Sequence, residues 1–309
     1  MTGSHIARTA LIALGAVGAV GAGAAIWGVG IERHLYTVRR HEVRMLPPGA
    51  RPLRILHLSD AHMAPWQHRK QRWIASLAAL RPDVVVNTGD NLGHVDGLAG
   101  LRPALAPFRG IPGVFVHGSN DHVAPSPRNP FKYLMGPSDH VVEAEPMDAT
   151  ELDSFLTDDL GWRDIDNAAA TIESAGLRID TFGVSDAHRD WDRLDVLPDA
   201  IAGLGGGADL TWGVTHAPYR RVLDAFVDLG AEAIFAGHTH GGQVRVPFSP
   251  RALVANCDIP LEKARGLSEW THDGRTVPLN VSAGIGHSIY APVRFGCRPE
   301  ASLITLLPR

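Results

Sequence analysis

Short apolar runs, each followed at once by a polar turn, recur along the chain from residue 54 onwards. Their length and their content of β-branched residues are typical of strands buried in a sheet. Segments with helical spacing of apolar residues lie at 69–80, between the first two runs, and at 219–229, between the last two. This alternation of strand and helix predicts an α/β fold. The five runs are 54–58, 83–87, 113–117, 210–214 and 233–236.

The turn after each of the five runs carries Asp, Asn or His. An isolated Asp after a strand is usually a helix cap, and an isolated His is usually a hydrogen-bonded structural residue. Five such turns are difficult to explain by capping, because the carboxyl ends of strands in an open α/β sheet converge on one edge, where ligands bind. The candidate metal ligands are Asp60, His62, Asp90, Asn120, His216, His238 and His240.

These carboxylate, amide and imidazole ligands form a mixed set that suits Mn, Fe, Zn or Co. The set is too large for one tetrahedral site, so it predicts two divalent metal ions that share a carboxylate. Paired ions of this kind lie about 3.5–4 Å apart and bind the attacking and leaving oxygens of an in-line displacement. They also lower the pKa of water, so that a bridging hydroxide is available to attack a phosphoester at neutral pH.

An uncharged stretch rich in Ala, Gly and Val lies near the N-terminus, at 9–31. Its length matches a helix that spans a bilayer, and a retained single-pass anchor in the cell membrane is the favoured interpretation. A cleaved signal peptide and a buried helix of a soluble protein are the alternatives, since Ala22-Gly23-Ala24 resembles a cleavage site. The arginines that follow the stretch favour a cytoplasmic catalytic domain, whereas a signal-anchor would place that domain outside.

The predicted organisation follows from these features. A short tail at 1–8 precedes the anchor at 9–31, and a connector at 32–53 leads into a catalytic domain at 54–309. A segment rich in Pro, Asp and Glu, at 124–162, is predicted to be an insertion that forms a lid or a substrate-recognition wall.

The order of the polar motifs resembles that of the calcineurin-like metallophosphoesterases. The matching motifs are Asp60-Ala61-His62, Gly89-Asp90, Gly118-Ser119-Asn120-Asp121, His216 and Gly237-His238-Thr239-His240. The strings at 237–243 and 292–300 look like those of a bacterial membrane-associated branch. The resemblance implies a four-layer αββα sandwich of two mixed β-sheets flanked by helices. It also implies a first metal held by Asp60, His62 and His240, a second held by Asn120, His216 and His238, and Asp90 as the bridging ligand.

The third motif departs from the family pattern, in which the Asn is followed by a His. Ser119 precedes Asn120, and Asp121 stands where the family has a histidine that stabilises the transition state or protonates the leaving oxygen. An ionised Asp121 would repel phosphate unless it is protonated or turned toward a cation. We hypothesise that His122 assists the leaving group, and an exposed loop histidine is the alternative. A second Asp-Ala-His sequence, at 186–188, leaves open a third metal site.

The leading hypothesis is a membrane-anchored enzyme that hydrolyses a phosphomonoester or a phosphodiester. The predicted anchor favours a lipid-linked or cell-envelope substrate, and relatives of similar form are linked to pyrophosphate cleavage in UDP-diacylglucosamine-type lipids. The alternative is a catalytically weak membrane-bound scaffold that binds metals. A metal-dependent nuclease would share the motifs, but the net charge of −4 argues against a dedicated nucleic-acid surface. No feature of the sequence predicts a protein partner.

Overall fold

A computed structural model describes residues 2–126 and 145–309. Over these residues the chain forms strands that belong to two sheets and helices that lie between them in sequence. The strands are β1 (Thr37–Leu46), β2 (Leu53–Leu58), β3 (Val84–Asn87), β4 (Gly113–Phe115), β5 (Arg163–Asp164), β6 (Ala168–Ser174), β7 (Leu177–Val184), β8 (Leu210–Thr215), β9 (Ala233–Ala236), β10 (Gly266–His272), β11 (Arg275–Val281) and β12 (Glu300–Pro308).

The two sheets are mixed, and each contains six strands within the described residues. The first has the order β1-β12-β2-β3-β4-β5, and the strands from β2 to β5 are parallel to one another. The second has the order β10-β11-β9-β8-β7-β6, in which β11, β9, β8 and β7 are parallel. Parallel neighbours bring their carboxyl ends to the same edge of each sheet.

Seven α-helices are described, and the predicted helical segments are among them. The segment predicted at 69–80 forms α2 and a 3-10 turn at Leu77–Leu80, and that predicted at 219–229 forms α7. The α-helices are α1 (Thr2–Ala25), α2 (His68–Ser76), α3 (Gly97–Leu105), α4 (Ser119–His122), α5 (Thr150–Ser154), α6 (Leu197–Ala202) and α7 (Arg220–Asp228).

The two sheets face each other across a shared core, and helices cover their outer faces. Val84 and Val114 of the first sheet belong to the same buried cluster as Trp212 and Phe235 of the second. A second cluster joins the first sheet to α2 and α3, and a third joins the second sheet to α6 and α7. The apolar strands are therefore buried on both faces, as continuous apolar runs predict. The predicted α/β sandwich of two mixed sheets and flanking helices is confirmed.

The N-terminal helix α1 continues as a π-helix at Ile26–Ile31. The described stretch Leu14–His34 is long and apolar enough to cross a membrane, with a mean hydropathy of 1.7, and only 6% of it is buried in the protein. Such low burial is unlike the core helix of a soluble protein, but a signal sequence also satisfies this test of length and composition. Membrane anchoring therefore stays a prediction.

The predicted connector at 32–53 is wrong for most of its length, because it contains the edge strand β1. Residues 39–42 of β1 are all charged or polar, and the strand pairs in parallel with β12 from Thr37 to Leu46. An edge strand exposes half of its side chains to solvent, so it lacks the continuous apolar run that marked the central strands.

The predicted insertion at 124–162 is only partly described, since residues 127–144 lie outside the described residues. Its C-terminal part does not form a lid. Leu152, Phe155 and Trp162 are at most 2% exposed and pack in the core beneath the first sheet. Glu151 and Asp158, by contrast, are exposed, and acidic residues of this kind concealed the amphipathic pattern in the sequence.

Candidate metal centre

The loops that follow the parallel strands place the candidate ligands at one edge of the two facing sheets. Asp60 and His62 follow β2, and Asp90 follows β3. From the second sheet, His216 follows β8, and His238 and His240 follow β9. Contacts across the two sheets are direct, because the backbone N–H of His238 donates to both carboxylate oxygens of Asp60 at 3.2 Å.

Three of the candidates form a first ligand cluster: Asp60, His62 and His240. One ligand atom from each lies within 4.8 Å of the others. The Nε2 atoms of His62 and His240 are 3.1 Å apart, and His240 Nε2 is 3.6 Å from Asp60 Oδ1. Two nitrogens that bind one metal at about 2.0–2.1 Å are separated by roughly this distance. The first cluster therefore fits a single divalent ion.

A second ligand cluster consists of Asp186, His216 and His238, which also approach one another within 4.8 Å. His216 Nε2 is 3.3 Å from His238 Nδ1. His216 Nδ1 donates to the Thr88 carbonyl oxygen at 2.7 Å, so the neutral ring presents the lone pair of Nε2 to the cluster.

Asp90 lies between the two clusters. Its Oδ2 atom is 3.4 Å from His62 Nε2 in the first cluster and 3.6 Å from His216 Nε2 in the second. A carboxylate that faces both groups of imidazoles has the position of a bridging ligand. Mixed carboxylate and imidazole donors arranged around a shared carboxylate fit two ions such as Mn, Fe or Zn.

Most of the candidate ligands have a backbone conformation that non-glycine residues rarely adopt. Five of them have φ angles in the left-handed region. These angles are 49° for Asp60, 39° for His62, 53° for Asp90, 67° for His238 and 48° for His240. Each such residue costs on the order of 1 kcal/mol or more, and such residues cluster at functional sites. These strained turns aim successive side chains of one loop into the same cavity.

The site also depends on close backbone approach at Gly118 and Gly237. A Cβ atom at Gly118 would lie 2.8 Å from the carboxylate carbon of Asp90, and one at Gly237 would lie 2.8 Å from Asp60 Oδ2. Any side chain at either position would therefore displace a candidate ligand, which explains the glycine in both motifs.

Burial and mutual repulsion set the pKa values of the site. Burial lowers the pKa of His62 and of His238 to about 4 and holds that of His240 well below its ordinary value. Burial, assisted by Asp90 and opposed by His216, raises the pKa of Asp60 to about 6. Neutral imidazoles at pH 7 are the form that binds metals.

His216 differs from the other histidines of the site. Burial disfavours its charged form, but the nearby carboxylates of Asp90, Asp186 and Asp60 outweigh this effect and raise its pKa to about 9. In the metal-free protein a proton on His216 thus balances part of the negative charge of the carboxylates. A metal ion that binds there would displace this proton.

Two buried cations support the first cluster, and sequence reasoning missed both. Lys70 donates to the carbonyl oxygens of Ala61 at 2.7 Å and His62 at 3.1 Å, and burial lowers its pKa to about 7. Arg294, which is fully buried, donates to the His240 carbonyl at 3.0 Å, and its other nitrogen lies 3.0 Å from His240 Nδ1. The only sequence signal for Arg294 was its place in the 292–300 string.

The structure places Asn120 and Asp121 differently from the sequence-based interpretation. Asn120 faces Asp90 as a donor, through its backbone N–H at 2.9 Å and its side-chain Nδ2 at 2.7 Å. Asp121 is fully buried, and its carboxylate accepts backbone N–H groups of Asn91, Leu92 and Gly118. These contacts hold the Asp90 loop against α4, so they favour a positioning role for Asp121 over the predicted catalytic one.

His122 lies beside the site, where its ring packs between His117 and Trp191 at centroid distances of 4.7 and 5.8 Å. Trp191 in turn donates its backbone N–H to the carbonyl of Asp186. His122 is therefore near the second cluster, and its assistance to a leaving group stays a prediction. The third metal site considered at 186–188 is not separate, because Asp186 belongs to the second cluster.

Comparison with known proteins agrees with this geometry. Residues 53–242 match the family model of calcineurin-like phosphoesterases. The Bacillus subtilis metallophosphoesterase YkoQ is 24% identical over 82% of this chain and 84% of its own length. A bovine transmembrane protein with a metallophosphoesterase domain is 28% identical over 69% of this chain and 46% of its own.

Among solved structures, the NAD nucleotidase of Haemophilus influenzae aligns with a TM-score of 0.45 and 13% identity, over 76% of this chain and 51% of that one. The family match spans more than half of the chain and contains every motif residue from Asp60 to His240. The order of the motifs, the ligand geometry and the family match agree, and the chain belongs to the calcineurin-like phosphoesterase family of metal-dependent phosphoester hydrolases.

Proposed function

We propose that this chain is a membrane-anchored dinuclear phosphoesterase that acts on a phosphomonoester or phosphodiester carried by a lipid or another cell-envelope molecule. The main support for the proposal is the position of Asp90, whose Oδ2 atom lies 3.4 and 3.6 Å from an imidazole nitrogen of each ligand cluster. A structural metal site has no need of a second cluster across a shared carboxylate, whereas a two-metal hydrolase does.

Residues next to the candidate ligands hold and orient them through hydrogen bonds. Ser59 donates to Asp60 Oδ2 at 2.5 Å, which leaves Oδ1 to face His240. The Thr88 carbonyl fixes the His216 ring, and Asn120 holds Asp90 through two hydrogen bonds. When bound, divalent ions supply charge stabilisation to the phosphoester and lower the pKa of water.

Support for the membrane location comes from the junction between the N-terminal helix and the domain. Buried Glu32 accepts the backbone N–H groups of Gly296 at 3.0 Å and Cys297 at 2.9 Å. The Gly28 carbonyl accepts the N–H of Arg294, whose side chain supports His240. A helix fixed in this way would hold the metal centre close to the bilayer surface.

An apolar loop beside this junction supports a lipid-linked substrate. Phe248 is fully exposed, and Val246 is 55% exposed. The neighbouring Val244 pairs with Phe295, in the segment that contacts the end of the helix. Exposed apolar side chains next to a membrane-spanning helix would enter the lipid interface.

The catalytic proposal is tested with the full chain in detergent micelles, bis-p-nitrophenyl phosphate as substrate and Mn²⁺ added. We expect Asp90→Asn to lower turnover on the order of 10³-fold, because loss of the bridge removes several kcal/mol of charge stabilisation. Asp180→Asn is the matched control, since Asp180 is also buried but bonds Thr171 within the sheet. Bound metals without turnover in the parent would favour the non-catalytic scaffold, and equal turnover in both variants would contradict the proposal.

The membrane proposal is tested with the Phe248→Asp variant. We expect it to slow hydrolysis of a phosphoester embedded in anionic vesicles by about tenfold, since a charge opposes entry of the loop into the interface. Hydrolysis of soluble bis-p-nitrophenyl phosphate by the same variant should not change. Equal rates on vesicles for parent and variant would remove the lipid interface from the proposal.

A further inference from the structure

We propose that Asp186 is an oxygen ligand of the second metal, in the place that the family resemblance gives to Asn120. This inference deepens the proposed function, since it names the full ligand set of the site on which that function rests. It is carried by the position of Asp186, by the use of its lone pairs and by the orientation of Asn120.

The position of Asp186 supports its assignment as a ligand. Asp186 follows β7, which is the parallel neighbour of β8, and His216 follows β8 in the same way. The side chain of Asp186 is fully buried and lies within 4.8 Å of the ligand atoms of His216 and His238. A fully buried carboxylate next to two imidazoles requires a compensating cation.

The hydrogen bonds of the Asp186 carboxylate leave room for a metal. Asp186 Oδ2 accepts the backbone N–H of Ser119 at 3.0 Å, and Oδ1 accepts that of His188 at 2.9 Å. Each carboxylate oxygen has about two acceptor positions, so these two bonds leave one position on each oxygen for a metal. The two backbone donors come from opposite sides of the site, and they fix the plane of the carboxylate as outer partners of metal ligands commonly do.

Asn120 is oriented as a hydrogen-bond donor to the bridging carboxylate. Its Nδ2 donates to Asp90 Oδ2 at 2.7 Å, and its backbone N–H donates to Oδ1 of the same carboxylate. Without a cation between the two groups, a rotated amide would set its oxygen against a carboxylate oxygen, which is unfavourable because neither atom donates. The amide oxygen is thus directed away from the bridging ligand, and Asn120 stabilises Asp90 as its hydrogen-bond donor.

The two clusters then have the same composition. Each contains one terminal carboxylate and two histidines, and Asp90 is shared between them. Three carboxylates would balance most of the charge of two divalent ions, which would leave the ions able to attract an anionic phosphoester. An amide in place of Asp186 would leave the second ion with less negative charge and therefore hold it more weakly.

The test counts Mn²⁺ bound to the full chain in detergent, by elemental analysis and by the electron paramagnetic resonance signal of coupled Mn pairs. The parent should bind two ions per chain, and Asp186→Asn should weaken the second ion by about 100-fold or more, beyond the 10–100-fold loss typical of an outer partner. Asp186→Ala should bind one ion and lose the coupled signal. Asp180→Asn is the control that should keep both ions, because Asp180 lies within β7, the strand that Asp186 follows.

Asn120→Ala supplies an independent comparison that does not depend on the folding of the Asp186 variants. We expect it to retain two ions and the coupled signal. Loss of an ion in Asn120→Ala, or two tightly bound ions in Asp186→Ala, would overturn the assignment. Because the readout is the number of ions, a parent that binds two ions without hydrolysing phosphoesters would refute the proposed function and leave this inference standing.

Discussion

The two ligand clusters have matching side chains but opposite surroundings. Behind the first cluster lie two buried cations, Lys70 and Arg294, which donate to the backbone of its loops. Behind the second lie acceptors, since His216 contacts the Thr88 carbonyl and His238 lies 3.2 Å from the Asn256 carbonyl. Buried cations stabilise neutral rings in the first cluster, whereas acceptors and carboxylates stabilise a proton on His216 in the second.

Because of this difference, two metals bridged by one carboxylate need not bind with the same affinity. In the first cluster the metal enters a site whose histidines are already neutral at pH 7, because burial lowers the pKa of His62 to about 4 and holds the pKa of His240 well below its ordinary value. In the second cluster the metal must replace the proton of His216. We therefore expect the first cluster to fill before the second as Mn²⁺ is added near neutral pH.

Among the residues that surround the candidate ligands, we expect the largest effect at His122, which packs against Trp191 beside the second cluster. If His122 protonates the leaving oxygen, His122→Ala should slow hydrolysis of an unactivated alkyl phosphate ester on the order of 10²-fold. The p-nitrophenyl ester needs no such proton, so its hydrolysis should be unchanged. The control is His68→Ala, an exposed histidine on α2. Full turnover of the alkyl ester in His122→Ala would end this hypothesis.

The next prediction separates the two clusters through Arg294→Met. This change removes the donors to the carbonyls of His240 and Ala283, and leaves those oxygens unsatisfied at a cost of about 1–3 kcal/mol each. We expect the first metal to bind about 10–100-fold more weakly, as for loss of other outer partners. Thermal stability should also fall.

The second metal serves as the internal control for Arg294→Met, because the second cluster has no described contact with this guanidinium. Mn²⁺ titration followed by electron paramagnetic resonance resolves the two binding steps. Equal weakening of both steps would show that Arg294 supports the whole edge of the fold and not one cluster.

The smallest effect is a difference in pH dependence. Metals compete with protons, so a rise in pH strengthens binding only while a ligand is still protonated. His216, with a pKa of about 9, should make the affinity for the second metal rise about tenfold per pH unit between pH 7 and 9. The first metal should gain less affinity in this range, because Asp60 has already lost its proton above a pKa of about 6 and only Lys70, with a pKa of about 7 and no direct contact with the ligand atoms, releases a proton beside this cluster. Parallel slopes for the two metals would contradict the comparison.

Local patterns in the sequence predicted most of the central fold and the first cluster. The apolar runs at β2, β3, β8 and β9 are self-contained signals, and the ligands of the first cluster lie within four residues of the ends of two such runs. The family resemblance then supplied the pairing of Asp60 and His62 with His240, which lies far away in sequence and close in space.

The parts that were missed depend on neighbours that no local pattern reveals. β1 contains four successive polar or charged residues at 39–42, and it forms a strand by pairing with β12, which lies far away in the sequence. Asp186 was considered only as part of a separate third metal site, because the sequence does not reveal that β7 lies beside β8. Asp121 was interpreted by its place in a motif, whereas its role follows from the backbone donors of the Asp90 loop.

Crystals of the full chain soaked in Mn²⁺, with diffraction collected at the manganese absorption edge, test the central claim most directly. We expect two anomalous peaks about 3.5–4 Å apart on either side of Asp90. One peak should contact Asp60, His62 and His240, and the other should contact Asp186, His216 and His238. A single peak, or a second peak bound by the Asn120 amide without Asp186, would contradict it.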